Sequence, residues 1–264
     1  MSNLQTDGIA VVTGASSGIG LAYADRLAAQ GHPLLLVARR KDRLDAVAAQ
    51  LSSQHGVTVE TMVADLERPD ELAVLEQRLA SDHVSMLVNN AGAGGLGPTS
   101  KSTADRMEQL IRLNIVALTR LSHAALVGFR KRGAGTLVNL GSIIAFAPTP
   151  GGAVYSGSKA YVLNFTQSLQ LEHAGSAIRI QVVMPGPIRT EFFSSQGLSD
   201  SIFPDKSFIT AEQLVDAALA GLAAGELITS PTMTRSETWS EIEAARKLYL
   251  SDATAGVVAT RYLG

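Results

Sequence analysis

The sequence predicts an α/β fold: a single domain built on one doubly wound parallel sheet, flanked by helices on both faces. Three observations predict it. Short unbroken apolar runs, such as Ile9-Ala10-Val11-Val12 and Leu34-Leu35-Leu36-Val37, alternate with longer stretches of helical periodicity. Unbroken apolar strands, rather than alternating ones, belong to sheets buried on both sides. No linker, repeat or low-complexity block divides the 264 residues, and α/β domains often reach about 250 residues as one unit, so 1–264 is read as one domain.

The elements follow in order. The first strand, 9–12, runs through a glycine-rich turn into a helix that ends near Gln30, where Gly31 is a natural stop. The second strand is 34–37, and Asp42 opens a helix with Leu44, Val47 and Leu51 on one face. The third strand is 57–64; Pro69, Asp70 and Glu71 then suit the first turn of a helix to about Ala80. The fourth strand, 86–88, leads to a Gly/Pro/Ser-rich loop at 92–102 and a long helix at 103–132. The fifth strand, 136–140, precedes a helix at 153–173, and the sixth is 178–183. Regularity weakens after Pro185; a helix at 211–224, a short strand at 227–229 and a C-terminal helix at about 236–250 complete the pattern.

Composition removes several function classes. The net charge is −2, and Arg39-Arg40-Lys41-Asp42-Arg43 is a short basic cluster, unlike the broad basic surface of a nucleic-acid binder. The absence of cysteine excludes disulfides, thiolate metal sites and cysteine nucleophiles, and no metal site is expected. The opening MSNLQTDGIAVVTG lacks a basic region followed by an apolar run, and the longest unbroken apolar runs are too short for a bilayer. A cytoplasmic protein without nucleic-acid or membrane partners is expected.

In parallel sheets of this kind, ligands bind beyond the carboxyl ends of the strands. After the first strand come Gly14, Ser16, Ser17, Gly18, Ile19 and Gly20, with glycines spaced GxxxGxG. That spacing lets backbone approach a pyrophosphate with helix N–H groups aimed at it; a glycine turn with only a structural role would look the same in isolation. After the second strand, NAD binding calls for a carboxylate about 20 residues beyond the glycines. Here Arg39 and Arg40 stand instead. Guanidinium groups pair with phosphate, so NADP(H) is preferred, with Arg39 the first candidate and Arg40 the second; NAD(H) remains possible. Asp65, followed by Leu66, suits either an adenine amino group or a cap for the next helix. Asn89, Asn90, Ala91 and Gly92 follow the fourth strand, Asn139-Leu140-Gly141-Ser142 ends the fifth, and Met184 to Thr190 follows the sixth. Tyr155 and Lys159 lie four residues apart on one helix face.

In combination these motifs resemble the short-chain dehydrogenase/reductase family, from Ile9 to about Thr190. TGASSGIG at 13–20, NNAG at 89–92, PGPIRT at 185–190 and the set Asn114, Ser142, Tyr155 and Lys159 carry the likeness. Within the family the chain looks most similar to the DltE-type bacterial oxidoreductases. Gly157 departs from the small residue, often alanine, that the family carries there. The resemblance implies a Rossmann-type fold and hydride transfer between a nicotinamide and a carbonyl or secondary alcohol. It implies Tyr155 as proton donor or acceptor, Lys159 as its tuner and ribose ligand, and Ser142 as a hydrogen-bond partner of the substrate oxygen. Asn114 would help hold a water that links Lys159 to solvent. Leu66, Asn90, Ala91, Gly92, Pro185 and Gly186 would line the dinucleotide, while Thr190 and the Ile188 backbone would hold its carboxamide. A homodimer or homotetramer through the helices at 103–132 and 153–173 is also implied.

The chemistry agrees with those roles. Hydride arriving at a carbonyl carbon leaves negative charge on oxygen, which needs a proton. A phenol is ordinarily a weak acid, with a pKa near 10, and a neighbouring ammonium is expected to lower it toward the working pH. The segment at about 187–210 contains Phe192, Phe193, Ile202, Phe203 and Phe208 and reads as an apolar substrate loop. With Gly94 to Gly97 and 143–150 as the other walls, it favours an apolar ketone or aldehyde as the small-molecule substrate. An NADP-sensing regulator or a scaffold without turnover is the alternative; the intact Ser142, Tyr155 and Lys159 set argues against it.

Overall fold

The computed structural model describes residues 8–197, 199 and 203–263. Its strands are β1 (Ile9–Thr13), β2 (Leu34–Ala38), β3 (Val59–Val63), β4 (Val84–Asn89), β5 (Gly135–Leu140), β6 (Ile178–Val183), β7 (Ile188–Arg189), β8 (Ile209–Thr210) and β9 (Ile228–Thr229). Seven of them form one parallel sheet in the order β3-β2-β1-β4-β5-β6-β9. The chain starts in the middle, builds outward through β2 and β3, then crosses back to build β4, β5 and β6. The order reverses between β1 and β4, and a ligand crevice opens at such a reversal, beyond the carboxyl ends.

Both faces are covered. On one side α1 (Gly18–Ala29), α2 (Lys41–His55) and α7 (Ala211–Ala224) pack Tyr23, Leu27, Leu44, Leu51, Leu214 and Val215 against the sheet. On the other, α3 (Pro69–Leu79), α5 (Leu118–Arg132) and α6 (Ala153–Glu172) bring Leu75, Leu79, Leu121, Phe129 and Leu169 to the core. Every residue of β2 and β4 is buried, as the unbroken apolar sequence of β2 requires, whereas edge strand β3 is half open to solvent. The seven-stranded sheet and its helices are a Rossmann-like domain.

The long helix expected at 103–132 is continuous but irregular. It begins as α4 (Ala104–Ile111), widens into a π-helical segment at Arg112–Ala117, and resumes as α5. Periodicity could not show this interruption, although π segments recur at functional sites. This helix is also long and apolar enough, by length and composition, to cross a bilayer. The expectation drawn from short unbroken runs therefore does not extend to it; half of its most apolar stretch is buried within this protein. The pairing of β7 with β8 (Ile188 with Ile209) is likewise absent from the sequence reading.

The chain separates into two compact units, one up to Pro231 and one from Thr232 to Gly264. The sheet domain is the first. The second holds α8 (Glu237–Ala253), which ends three residues beyond the helix expected there. No residue of α8 is buried, and Leu248, Tyr249 and Leu250 stand exposed.

Gly157 lies inside α6, and a methyl added there meets nothing within 4 Å. Glycine in a helix interior costs about 0.5–1 kcal/mol relative to alanine. Gly157→Ala is expected to raise stability by about that amount, read from the urea unfolding midpoint.

Candidate active site

The site begins where β1 and β4 end. Thr13 Oγ1 donates to the Val88 carbonyl at 3.3 Å and accepts from the backbone N–H groups of Asn90 at 3.0 Å and Ala91 at 2.9 Å. In return, the Asn90 amide donates to the Thr13 carbonyl at 2.8 Å and the Gly14 carbonyl at 3.4 Å. The two strand ends are thus laced across the reversal point. Thr13 was not among the candidate residues. A hydroxyl in the last position of an apolar strand, directly before Gly14, was the signal available.

The lacing explains the glycines. Gly14 has φ +67°, a backbone conformation that favours glycine. A Cβ on Gly20 would stand 2.3 Å from the Gly14 carbonyl oxygen and 2.5 Å from the Asn90 amide nitrogen. One on Gly18 would stand 3.2 Å from the Thr190 methyl, which places the segment after β6 against the turn. Ser17 precedes α1 in extended conformation, and its hydroxyl does not cap the helix; it accepts instead from Arg40 at 2.9 Å. The first N–H groups of α1, including that of Ile19, have no partner one turn back within the helix. The cradle is the right kind for a pyrophosphate.

The two arginines are placed differently. Arg40 reaches back over the turn, donating to Ser16 at 3.2 Å, Ser17 at 2.9 Å and Glu191 at 3.2 Å. Arg39 is more exposed and lies 3.8 Å from Glu67. Arg40, the second candidate, is the one against the turn. Asp65 accepts from the Glu67 N–H at 3.1 Å, a local turn bond. It is not the N-cap of α3, which is Arg68. Leu66 is buried beside it.

Beyond β4 the wall is made of small residues. A Cβ on Gly92 would lie 3.3 Å from Asn114 Oδ1 and 3.8 Å from Lys159 Nζ. Asn114 sits in the π-helical segment, and its amide exchanges two hydrogen bonds of 2.9 Å with the Ala93 backbone while donating to Ser158 at 3.2 Å. Behind the site, Asn89, Ser122, Asn139 and Thr166 form a buried hydrogen-bonded chain that ties β4 and β5 to α5 and α6.

Ser142, Tyr155 and Lys159 converge as expected. Ser142 follows β5, donates to the Pro185 carbonyl at 3.4 Å and accepts from the Ile144 N–H at 3.3 Å, and its hydroxyl acts on the Tyr155 phenol. Lys159 is buried and donates from Nζ to the Leu140 carbonyl at 2.8 Å. The acidity differs from the expectation. Burial pushes the Tyr155 phenol up to about 12, and the Ser142 hydroxyl is the influence that lowers it. Burial pulls Lys159 down to about 8. An ammonium that is itself disfavoured, 6.0 Å from the ring centre, does not offset the desolvation of the phenol.

Pro185 is buried and Gly186 half-buried, while Ile188 is held in β7. Thr190 accepts from the Phe192 N–H at 3.3 Å. Phe192 lies 5.7 Å from the Tyr155 ring and 5.4 Å from Phe193, which in turn meets Phe203 and Phe208. The expected apolar loop is thus an aromatic chain leading from the phenol. Ile202 lies outside the described residues. Gln196 fills the space above Gly94, where a Cβ would stand 2.3 Å from its amide, and bonds to the Phe192 carbonyl. Neither Glu191 nor Gln196 was anticipated. Among the described residues, no cluster of His, Asp or Glu could hold a metal.

The family model for short chain dehydrogenases matches residues 8–200. The chain therefore belongs to the short-chain dehydrogenase family, a class of oxidoreductases. It is 37% identical over 218 residues to sulfoacetaldehyde reductase 2 of Chromohalobacter salexigens, covering 79% of this chain and 85% of that one. A short-chain dehydrogenase from Sphingobium yanoikuyae, solved in complex with NADPH, superposes with TM-score 0.92 at 43% identity, over 97% of this chain and all of that one. The bulky-bulky ketone specific alcohol dehydrogenase of Comamonas testosteroni superposes with TM-score 0.89 at 37% identity, over 98% of this chain and all of the other.

Two outcomes follow from this geometry. Gly20→Ala forces a methyl into backbone at 2.3 Å; overpacking of this kind costs about 1–3 kcal/mol. A lower urea midpoint together with lost NADPH binding is expected. Lys159 titrates near 8 in the folded chain and near its ordinary 10.5 when unfolded. Between those values the unfolded state binds more protons, so this group makes stability rise with pH there. Above pH 10 the raised Tyr155 and Tyr23 phenols act oppositely. Urea midpoints measured from pH 7 to 10 are expected to show the Lys159 rise in the wild-type chain and lose it in Lys159→Met.

Proposed function

We propose that this protein is an NADP-dependent oxidoreductase that interconverts apolar ketones or aldehydes with their alcohols, and that it falls in the DltE-type bacterial branch of its family. The observation that carries the reading is the buried Lys159, held on the Leu140 carbonyl with its Nζ 6.0 Å from the Tyr155 ring, and the Phe192 ring 5.7 Å from the phenol. The glycine cradle, Arg40 and the small residues after β4 fit a dinucleotide with a phosphate on its adenosine ribose. The NADPH complex and the ketone enzyme among the similar structures support the same cofactor and substrate classes.

Bound in that cradle, the dinucleotide supplies the hydride for reduction or takes it in oxidation. The chain's own groups do the rest. Gly14, Gly18, Gly20 and the start of α1 receive the pyrophosphate. Arg40 and Arg39 receive the ribose phosphate. Ser142 hydrogen-bonds the carbonyl oxygen and holds it at the phenol. Tyr155, raised by burial and therefore protonated at neutral pH, donates its proton to that oxygen as negative charge develops. Lys159, held by the Leu140 carbonyl, stabilises the tyrosinate that remains and returns a proton toward solvent past Asn114. The phenylalanines exclude water and select apolar substituents. In oxidation the same atoms work in reverse.

A regulator that only sensed NADP would have no use for a phenol beside a buried lysine at the cofactor crevice. We also propose a homodimer or homotetramer through the helices at 104–132 and 153–172, where Ile111 and Val116 are exposed; analytical ultracentrifugation showing only monomer would reject it.

Tyr155→Phe keeps the ring and removes the proton. Loss of general-acid catalysis is worth about 10²–10⁴ in rate, so kcat for NADPH-dependent ketone reduction is expected to fall by at least about 100-fold with NADPH affinity retained. Near-normal turnover by the variant would reject the assignment.

A further inference from the structure

Arg40 is held by an anion of the protein itself. Glu191 stands directly after Thr190, at the entry to the substrate loop, and pairs with Arg40 at 3.2 Å. Its two carboxylate oxygens also accept from Arg43 at 2.9 and 3.0 Å. Arg40 simultaneously donates to both serines of the glycine-rich turn. One carboxylate thus bridges the cofactor side of the crevice, at the end of β2 and start of α2, to the segment that begins the aromatic substrate wall. Both guanidinium groups hold Glu191 well in its ionised range, so the bridge is charged at neutral pH.

A carboxylate on a guanidinium occupies the same donors that a phosphate would use. A phosphate dianion arriving at Arg40 meets Glu191 as a like charge and a rival for those donors. A ribose 2′-hydroxyl brings neither the charge nor the competition. We propose that Glu191 is a specificity-determining residue: its carboxylate competes with the cofactor's 2′-phosphate for Arg40 and so weakens NADPH binding selectively, leaving NADH binding untouched. The inference rests on the reading of Arg40 as a 2′-phosphate ligand. It adds a consequence for the loop: when the phosphate takes Arg40, the entry to the substrate segment is released from the turn and held through Arg43 alone.

The test is a fluorescence titration of the full chain with NADPH and, separately, with NADH. The variants are Glu191→Gln, Glu191→Ala and the pair Glu191→Gln with Arg43→Gln. Glu191 is exposed, so none of these changes removes core packing. Exposed ion pairs contribute about 0.2–1 kcal/mol, which corresponds to about a 1.5- to 5-fold change in Kd. Both single variants are expected to bind NADPH tighter by that factor, with the NADH Kd unchanged. The double variant restores the net charge and is expected to keep the gain. An unchanged or weaker NADPH Kd in the single variants overturns the proposal. So does a gain that disappears in the double variant, since net charge alone would then explain it. NADPH bound no better than NADH by the wild-type chain and by the Glu191 variants alike rejects the phosphate-binding reading of Arg40 itself, a result separable from failure of Glu191 as the competitor.

Discussion

The close approach of two strand ends governs this site. β1 and β4 are adjacent in the sheet, but the chain leaves them toward opposite flanks, so their carboxyl ends would splay without a tie. Thr13 and Asn90 supply it with reciprocal side-chain to backbone bonds. The tie draws β4's end so near the glycine turn that no side chain fits at Gly20. From this follow the side-chain-free start of α1 at Gly18 and Gly20, the position of Arg40 over the serines, and the small-residue wall at Gly92 facing Lys159. The second tie, from Asn89 and Asn139 to Ser122 and Thr166, fixes α6 against β5. The Tyr155 and Lys159 side chains are thereby set relative to Ser142. Buried polar chains of this sort are costly unless fully bonded, and these are bonded at each link named.

The electrostatics of the pair are set by burial more than by mutual attraction. Desolvation raises the phenol and lowers the ammonium, which moves both toward their neutral forms. A protonated tyrosine beside a carbonyl is a competent donor once negative charge grows on that oxygen, because the charge itself creates the driving force for transfer. Lys159 then matters most after the proton has left, when a buried tyrosinate needs a cation. Its bond to the Leu140 carbonyl keeps it at hand without pairing it to a carboxylate, which would have absorbed its charge.

Much of this was legible in the sequence. Unbroken apolar runs such as 34–37 located the buried strands, because a parallel sheet has no wet face to encode alternation. Gly14, Gly18 and Gly20 were legible because close backbone approach admits no other residue. Ser142, Tyr155 and Lys159 were legible because their chemistry is specific in combination. Other features depend on contacts between distant segments. The contact of Arg40 with Glu191, some 150 residues away, is one of them, and periodicity at 39–40 carries no trace of it. The π-helical segment holding Asn114 keeps an ordinary apolar pattern, so nothing local marks it. The direction of the Tyr155 shift required knowing how deeply both partners are buried, which spacing on a helix face does not reveal. The unit from Thr232 onward carried no motif, and α8 carries no buried face.

The central claim is hydride transfer to an apolar carbonyl at Tyr155. The most direct measurement is to incubate the protein with NADPH deuterated on both C4 positions of the nicotinamide and a ketone bearing two bulky apolar groups, then analyse the product by mass spectrometry. The account predicts an alcohol carrying one deuterium on its carbinol carbon. NADPH bound tightly with no labelled alcohol from such ketones, alongside turnover of a small charged aldehyde, would contradict the apolar substrate wall. Binding with no labelled product from any carbonyl would contradict the account of Tyr155 as the working acid.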